Sequence, residues 1–161
     1  MRRVDGEQFS RKWSPAIKDM GFTMFPNVLL DVASDIGLTS SQIVVILILE
    51  RHRWELGQKV YPSHETIARQ SGQSARTVAR CMEALSKDGY VHIIERKGMA
   101  NFYDISPLIH FLDEIARSER ERRRSHSGRR HVRQNVIPSR HNLSYDKDSF
   151  KESYKDIWGS S

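Results

Sequence analysis

The stretch RQSGQSARTVAR, Arg69 to Arg80, constrains this chain more than any other. Ahead of it Pro62-Ser63 opens a helix: Ser63 can cap it, and Thr66, Ile67 and Ala68 carry it to Gln70. Ser71-Gly72-Gln73 then interrupts, and Ser74 is a second cap. Behind that cap Val78, Cys81, Met82 and Leu85 recur at helical spacing on one side, and Asp88-Gly89 ends the element. The pattern predicts two short helices joined by a tight glycine turn.

The flanks supply further elements. Apolar density rises from Phe22 through FTMFPNVLLDVASDIGL, where Pro26 suits the first turn of a short helix carrying Val28, Leu29 and Val32. Thr39 followed by Gln42 is a capping-box pattern. The run after it, IVVILILERHRWELG, is rich in β-branched residues, but its cap and Gly57 as a stop predict a buried helix from about Ser40 to Leu56. Lys59 to Tyr61 leaves room for a very short strand. After Gly89 the period changes: VHIIERK, a turn GMA and NFYDI predict two strands around a glycine-containing loop. Ser106-Pro107 then makes an N-cap and first-turn pair for a helix carrying Leu108, Phe111, Leu112 and Ile115.

A length of 161 residues suits one domain with extensions. We divide the chain into a partly ordered arm (1–20), a folded domain (21–116), a basic flexible linker (117–147) and a short amphipathic segment (148–161). The net charge of +6 is unevenly spread. Residues 1–116 hold 14 Lys+Arg against 14 Asp+Glu, whereas residues 117–140 hold 9 against 2. Basicity therefore marks the tail, where too few apolar residues remain to offset the entropy of ordering. The single Cys81 excludes an internal disulfide and fits a reducing compartment, so a cytoplasmic location is expected. The longest apolar run, Ile43 to Leu49, is far short of a bilayer span, and no membrane association is expected.

The order helix, short strand, helix, glycine turn, helix, hairpin resembles the winged helix-turn-helix DNA-binding domain over roughly residues 39 to 105. Ile67, Ala68, Gly72, Val78 and Cys81 carry the likeness. It implies a mainly α fold with a small β-hairpin (α+β), here followed by a disordered basic C-terminal tail. It also makes the helix from Ser74 to Lys87 the one that reads double-stranded DNA. With Val78, Cys81, Met82 and Leu85 inward, Ser74, Arg76, Thr77, Arg80 and Lys87 are left outward or flanking. Arginines one turn apart can reach the major groove, where a guanidinium pairs bidentately with guanine. Arg96, Lys97 and Asn101 would be the wing's contacts. Ser63 and Ser74 are most simply N-caps, with phosphate contact as an added role. The plainer alternative for the arginines is surface pairing, as of Arg80 with Glu83.

More narrowly, FPNVLLD, IGLTSSQIVVILILERH and the segment YPSHETIARQ to NFYDIS look like the amino-terminal domain of replication initiators and replisome organisers from phages and plasmids of Gram-positive bacteria. That resemblance implies a role in DNA replication initiation; transcriptional regulation by the same DNA-binding mode is the alternative. In the tail, Arg122, Arg123, Arg124, Arg129 and Arg130 either grip phosphates without sequence preference or extend a solvated linker. Phe150, Tyr154, Ile157 and Trp158 form an amphipathic stripe that suits a replication protein's groove or folds back on the domain. A protein-interaction adaptor is therefore the reading from another class. A homodimer through Leu108 to Ile115 or the amino-terminal arm is a further expectation. The sequence holds no phosphate-binding loop, HExxH, paired-cysteine spacing or nucleophile elbow, so neither an enzyme, a cofactor nor a metal is expected.

Overall fold

The computed structural model describes residues 12–126. Its helices are α1 (Pro15–Asp19), α2 (Asn27–Val32), α3 (Ser40–Arg51), α4 (His64–Ser71), α5 (Ala75–Lys87) and α6 (Ser106–His126). A hairpin of β1 (His92–Ile94) and β2 (Phe102–Asp104) lies between α5 and α6. Mainly helical with one antiparallel hairpin, this is the expected winged helix-turn-helix architecture.

Local signals place most of the boundaries. Thr39 and Gln42 close the capping box reciprocally: Gln42 Oε1 accepts from the Thr39 N–H at 2.8 Å, and Thr39 Oγ1 accepts from the Gln42 N–H at 3.3 Å. That start, with burial of Val45, Ile46, Ile48 and Leu49, overrides the weak helix preference of a β-branched run. Ser63 and Ser74 cap α4 and α5 through the N–H groups of Thr66 and Thr77. Between those helices Gly72 adopts φ +68° and ψ +14°, the left-handed conformation that glycine reaches without penalty.

One core holds α2 to α6 and the hairpin together. Val45 and Leu49 of α3, Ile67 of α4, Val78 and Leu85 of α5, and Leu108 and Ile115 of α6 are all fully buried. Each such side chain contributes roughly 1.5–3 kcal/mol by leaving water. The Tyr90 hydroxyl donates to the Ile36 carbonyl at 3.2 Å, tying the end of α5 to the α2–α3 loop. In the hairpin His92, Ile93 and Ile94 face Asp104, Tyr103 and Phe102. Val60 pairs with the other edge of Tyr103 through two backbone bonds of 2.9 and 2.7 Å. The very short strand expected at Lys59 to Tyr61 is thus a single bridge that fastens the wing to the residue stretch leading into α4.

Several expectations need correction. α3 stops at Arg51, not Leu56. Arg53 folds back onto Glu50 in an ion pair of 2.6 Å with both side chains largely covered, and Gln58 Oε1 accepts from the Trp54 N–H at 2.7 Å. A turn thereby satisfies the backbone, and Trp54, 87% exposed, adds no burial that would hold it in the helix. Pro26 stands just outside α2 at its N-cap, not in the first turn. Asp104, not Ser106, supplies the side-chain oxygen at the start of α6, accepting from the Ser106 N–H at 2.8 Å.

The largest departure is at the far end of α6. The helix runs to His126, so residues 117–126 of the supposed linker are helical. Once the first turns are docked by Leu108, Phe111, Leu112 and Ile115, each further residue adds a backbone bond without a new nucleation cost. Arginine and glutamate are good helix formers, and the pairs Arg117–Asp113 (2.7 Å) and Arg122–Glu119 (2.9 Å) add support. Those four apolar residues pack inside the domain and so offer no apolar seam to a second copy. The arm's residues 12–20 contain α1, and the Trp13 ring makes a tilted contact with that of Phe22 at 5.7 Å.

Candidate nucleic-acid interface

α5 is strongly two-faced because its sequence alternates at helical period. Val78, Cys81, Met82 and Leu85 are buried, whereas Arg76, Arg80, Glu83 and Lys87 are exposed. At 3.6 residues per turn the four exposed side chains lie within an arc of about 60°. Ser74 is exposed at the cap and Thr77 half-buried beside it, their hydroxyls 2.9 Å apart. Neither Arg76, Arg80 nor Lys87 forms an ion pair with any described residue, and the Arg80–Glu83 pair that the plainer alternative required is not made. The outer face of α5 therefore presents three unengaged cations and, at its start, the backbone N–H groups that the Ser74 cap leaves free.

The wing is organised differently. Arg96 Nε donates to the Ala100 carbonyl at 2.8 Å, and its guanidinium lies 3.9 Å above the Phe102 ring and 5.8 Å from that of Tyr61. Asn101 Oδ1 accepts from the Arg96 N–H at 3.3 Å. Arg96 Nε and Asn101 Oδ1 are thus both engaged in closing the hairpin, with the guanidinium stacked on an aromatic face. Lys97, beside them, is exposed with no such partner. Of the wing's three candidates, Lys97 is exposed, whereas Arg96 and Asn101 are half-buried. Ser63, at the start of α4, is half-buried and occupied as a cap; the Glu65 backbone N–H, and after it the Ser63 hydroxyl, hold the Glu65 carboxyl below its ordinary range.

Two features of the site were not legible beforehand. Gln73 in the turn donates through Nε2 to the Ser41 carbonyl at 3.3 Å, joining the glycine turn to the first turn of α3. Nothing in a one-dimensional pattern signals a bond across 32 positions. The stack of Arg96 on Phe102 was hidden for the same reason, although both lie in the predicted hairpin. Cys81 lies on the buried face of α5, where burial pushes its thiol pKa up.

On α6, Arg122 is paired with Glu119, while Arg123 and Arg124 are exposed. Arg129, Arg130, Phe150, Tyr154, Ile157 and Trp158 lie outside the described residues. Among the described residues no helix is long and apolar enough to cross a membrane, and no group of three or more His, Cys, Asp or Glu is placed to hold a metal.

Comparison with known proteins agrees with this geometry. A family model described as a helix-turn-helix domain matches residues 37–91, which span α3, α4 and α5 up to the edge of the wing. No curated protein matches the chain. Among solved structures, the crystal structure of transcriptional regulator PA3341 is 19% identical over 95% of this chain and 92% of that one, with a TM-score of 0.38. At that backbone similarity it adds nothing to the assignment. The chain carries a helix-turn-helix with a hairpin wing.

Proposed function

We propose that the protein binds double-stranded DNA with sequence preference, laying α5 in the major groove. The observation that carries this reading is the set of exposed, unpaired cations Arg76, Arg80 and Lys87 on one face of the second helix of a helix-turn-helix. The major groove admits an α-helix, whose first turn and guanidinium groups then reach base edges and phosphates. Lys97 adds a backbone contact from the wing, and Ser74 and Thr77 a phosphate contact at the start of α5. Arg123 and Arg124 extend the basic surface along α6 without sequence information.

Of the roles open to such a binder we favour transcriptional regulation over replication initiation. Selective occupancy of a site is enough for regulation. A helix-turn-helix whose second helix carries exposed, unpaired cations supplies that occupancy. Selection of bound sequences from a random duplex pool tests the central claim: one enriched motif is expected. A chain that enriches none, or that binds equally well with both Arg76 and Arg80 changed to alanine, is not reading DNA through α5. In that event capture of protein partners by the same chain would favour the adaptor.

A further inference from the structure

Glu83 is the one acid on the outer face of α5, lying in the same arc as Arg76, Arg80 and Lys87. Two cations are spaced to neutralise it, Arg80 three residues before and Lys87 four after, the second in the orientation that best supports a helix. It pairs with neither, nor does it make a side-chain hydrogen bond to any described residue. Its oxygens are left for whatever meets that face.

Inside a major groove an unpaired carboxylate stands between two rows of phosphates and is repelled unless a donor meets it. A carboxylate accepts only. Guanine and thymine show it acceptors in that groove, and only the cytosine N4 and adenine N6 amines donate. Adenine sets its N7 acceptor beside the amine, against the second carboxylate oxygen, whereas cytosine presents the amine alone. We infer that Glu83 imposes a cytosine at one position of the bound duplex and rejects guanine and thymine there; this rests on the DNA-binding reading above. Glu83 lies two turns from Arg76, about 10 Å along the helix, so its base pair is a separate one. The same charge holds down binding to unrelated DNA.

The test is selection from a random duplex pool by the full chain, by Glu83→Gln and by Glu83→Ala, followed by affinities on the enriched site. The wild-type motif is expected to contain a cytosine column, and replacing that cytosine weakens binding about tenfold. Glutamine pairs bidentately with adenine, so Glu83→Gln turns the column to adenine while other columns persist. Glu83→Ala flattens it, and both variants bind unrelated DNA more tightly. An identical motif from all three proteins overturns the inference and leaves the DNA-binding reading standing. A motif that degrades evenly at every column in both variants also overturns it, since Glu83 would then act only on the shape of the helix. No motif from the wild type removes both.

Discussion

The outer face of α5 and the wing both carry basic side chains close to a turn, yet the structure uses them in opposite ways. Arg76 and Arg80 have no partner among the described residues, whereas Arg96 is held by the Ala100 carbonyl and the Phe102 ring. The difference is one of surroundings. A regular helix occupies its own carbonyls and leaves outward guanidinium groups nothing to bond, while a hairpin end exposes free carbonyls and an aromatic face within reach of its arginine. An arginine near a turn thus serves the ligand in one element and the fold in the other.

That contrast is open to direct attack. The largest effect is expected from changing Arg76 and Arg80 together to alanine. Specific affinity should fall at least about thirtyfold, at about 1–3 kcal/mol per lost bidentate contact. Thermal unfolding should stay near wild type because nothing in the fold leans on either side chain. A mobility-shift titration beside a melting curve reads both; a large drop in stability would show that these arginines are structural after all.

Next comes the hinge between the two helices. Gly72→Ala places a Cβ in open space, so any loss comes from the backbone alone. The left-handed conformation costs an alanine roughly 1–2 kcal/mol, measurable by denaturant unfolding. An unchanged midpoint would mean that residue 72 is not held at its positive φ.

Arg96→Ala should cost about 1 kcal/mol of stability through the lost stacking and hydrogen bond, and Arg96→Lys should not restore it because an ammonium lacks the planar fork. If Arg96→Ala instead leaves stability untouched and lowers only the salt dependence of DNA binding, the wing resembles α5 more than we have argued. The smallest effect belongs to Lys97→Ala: stability within about 0.5 kcal/mol, and a log–log salt slope shallower by about 0.9 for one lost phosphate contact.

The sequence made the local devices plain and hid the distant ones. Ser63, Thr39 with Gln42, Ser74 and Gly72 were readable because a cap or a left-handed turn depends on three or four neighbouring residues. The buried stripe of α5 was readable because burial on a helix follows a fixed period. The end of α3 was not, since the Arg53–Glu50 pair and the Gln58 turn compete with a continuation that local preference alone would allow. The extent of α6 was missed because low apolar content was equated with disorder. A helix already docked at Leu108 to Ile115 needs no further core to propagate.

What the chain's residues determined without help was the order of elements, the face each helix buries and which arginines fall on the outer side of α5. These follow from backbone periodicity and capping, whose causes are near in sequence. Only the folded chain decided which of those charges stay available. Val60 brought against Tyr103, and Arg96 against Phe102 and Tyr61, are meetings across space that consume some polar groups and spare others. Whether a guanidinium can contact DNA depends on that remainder, because a cation already satisfied by its own chain gains little by exchanging partners.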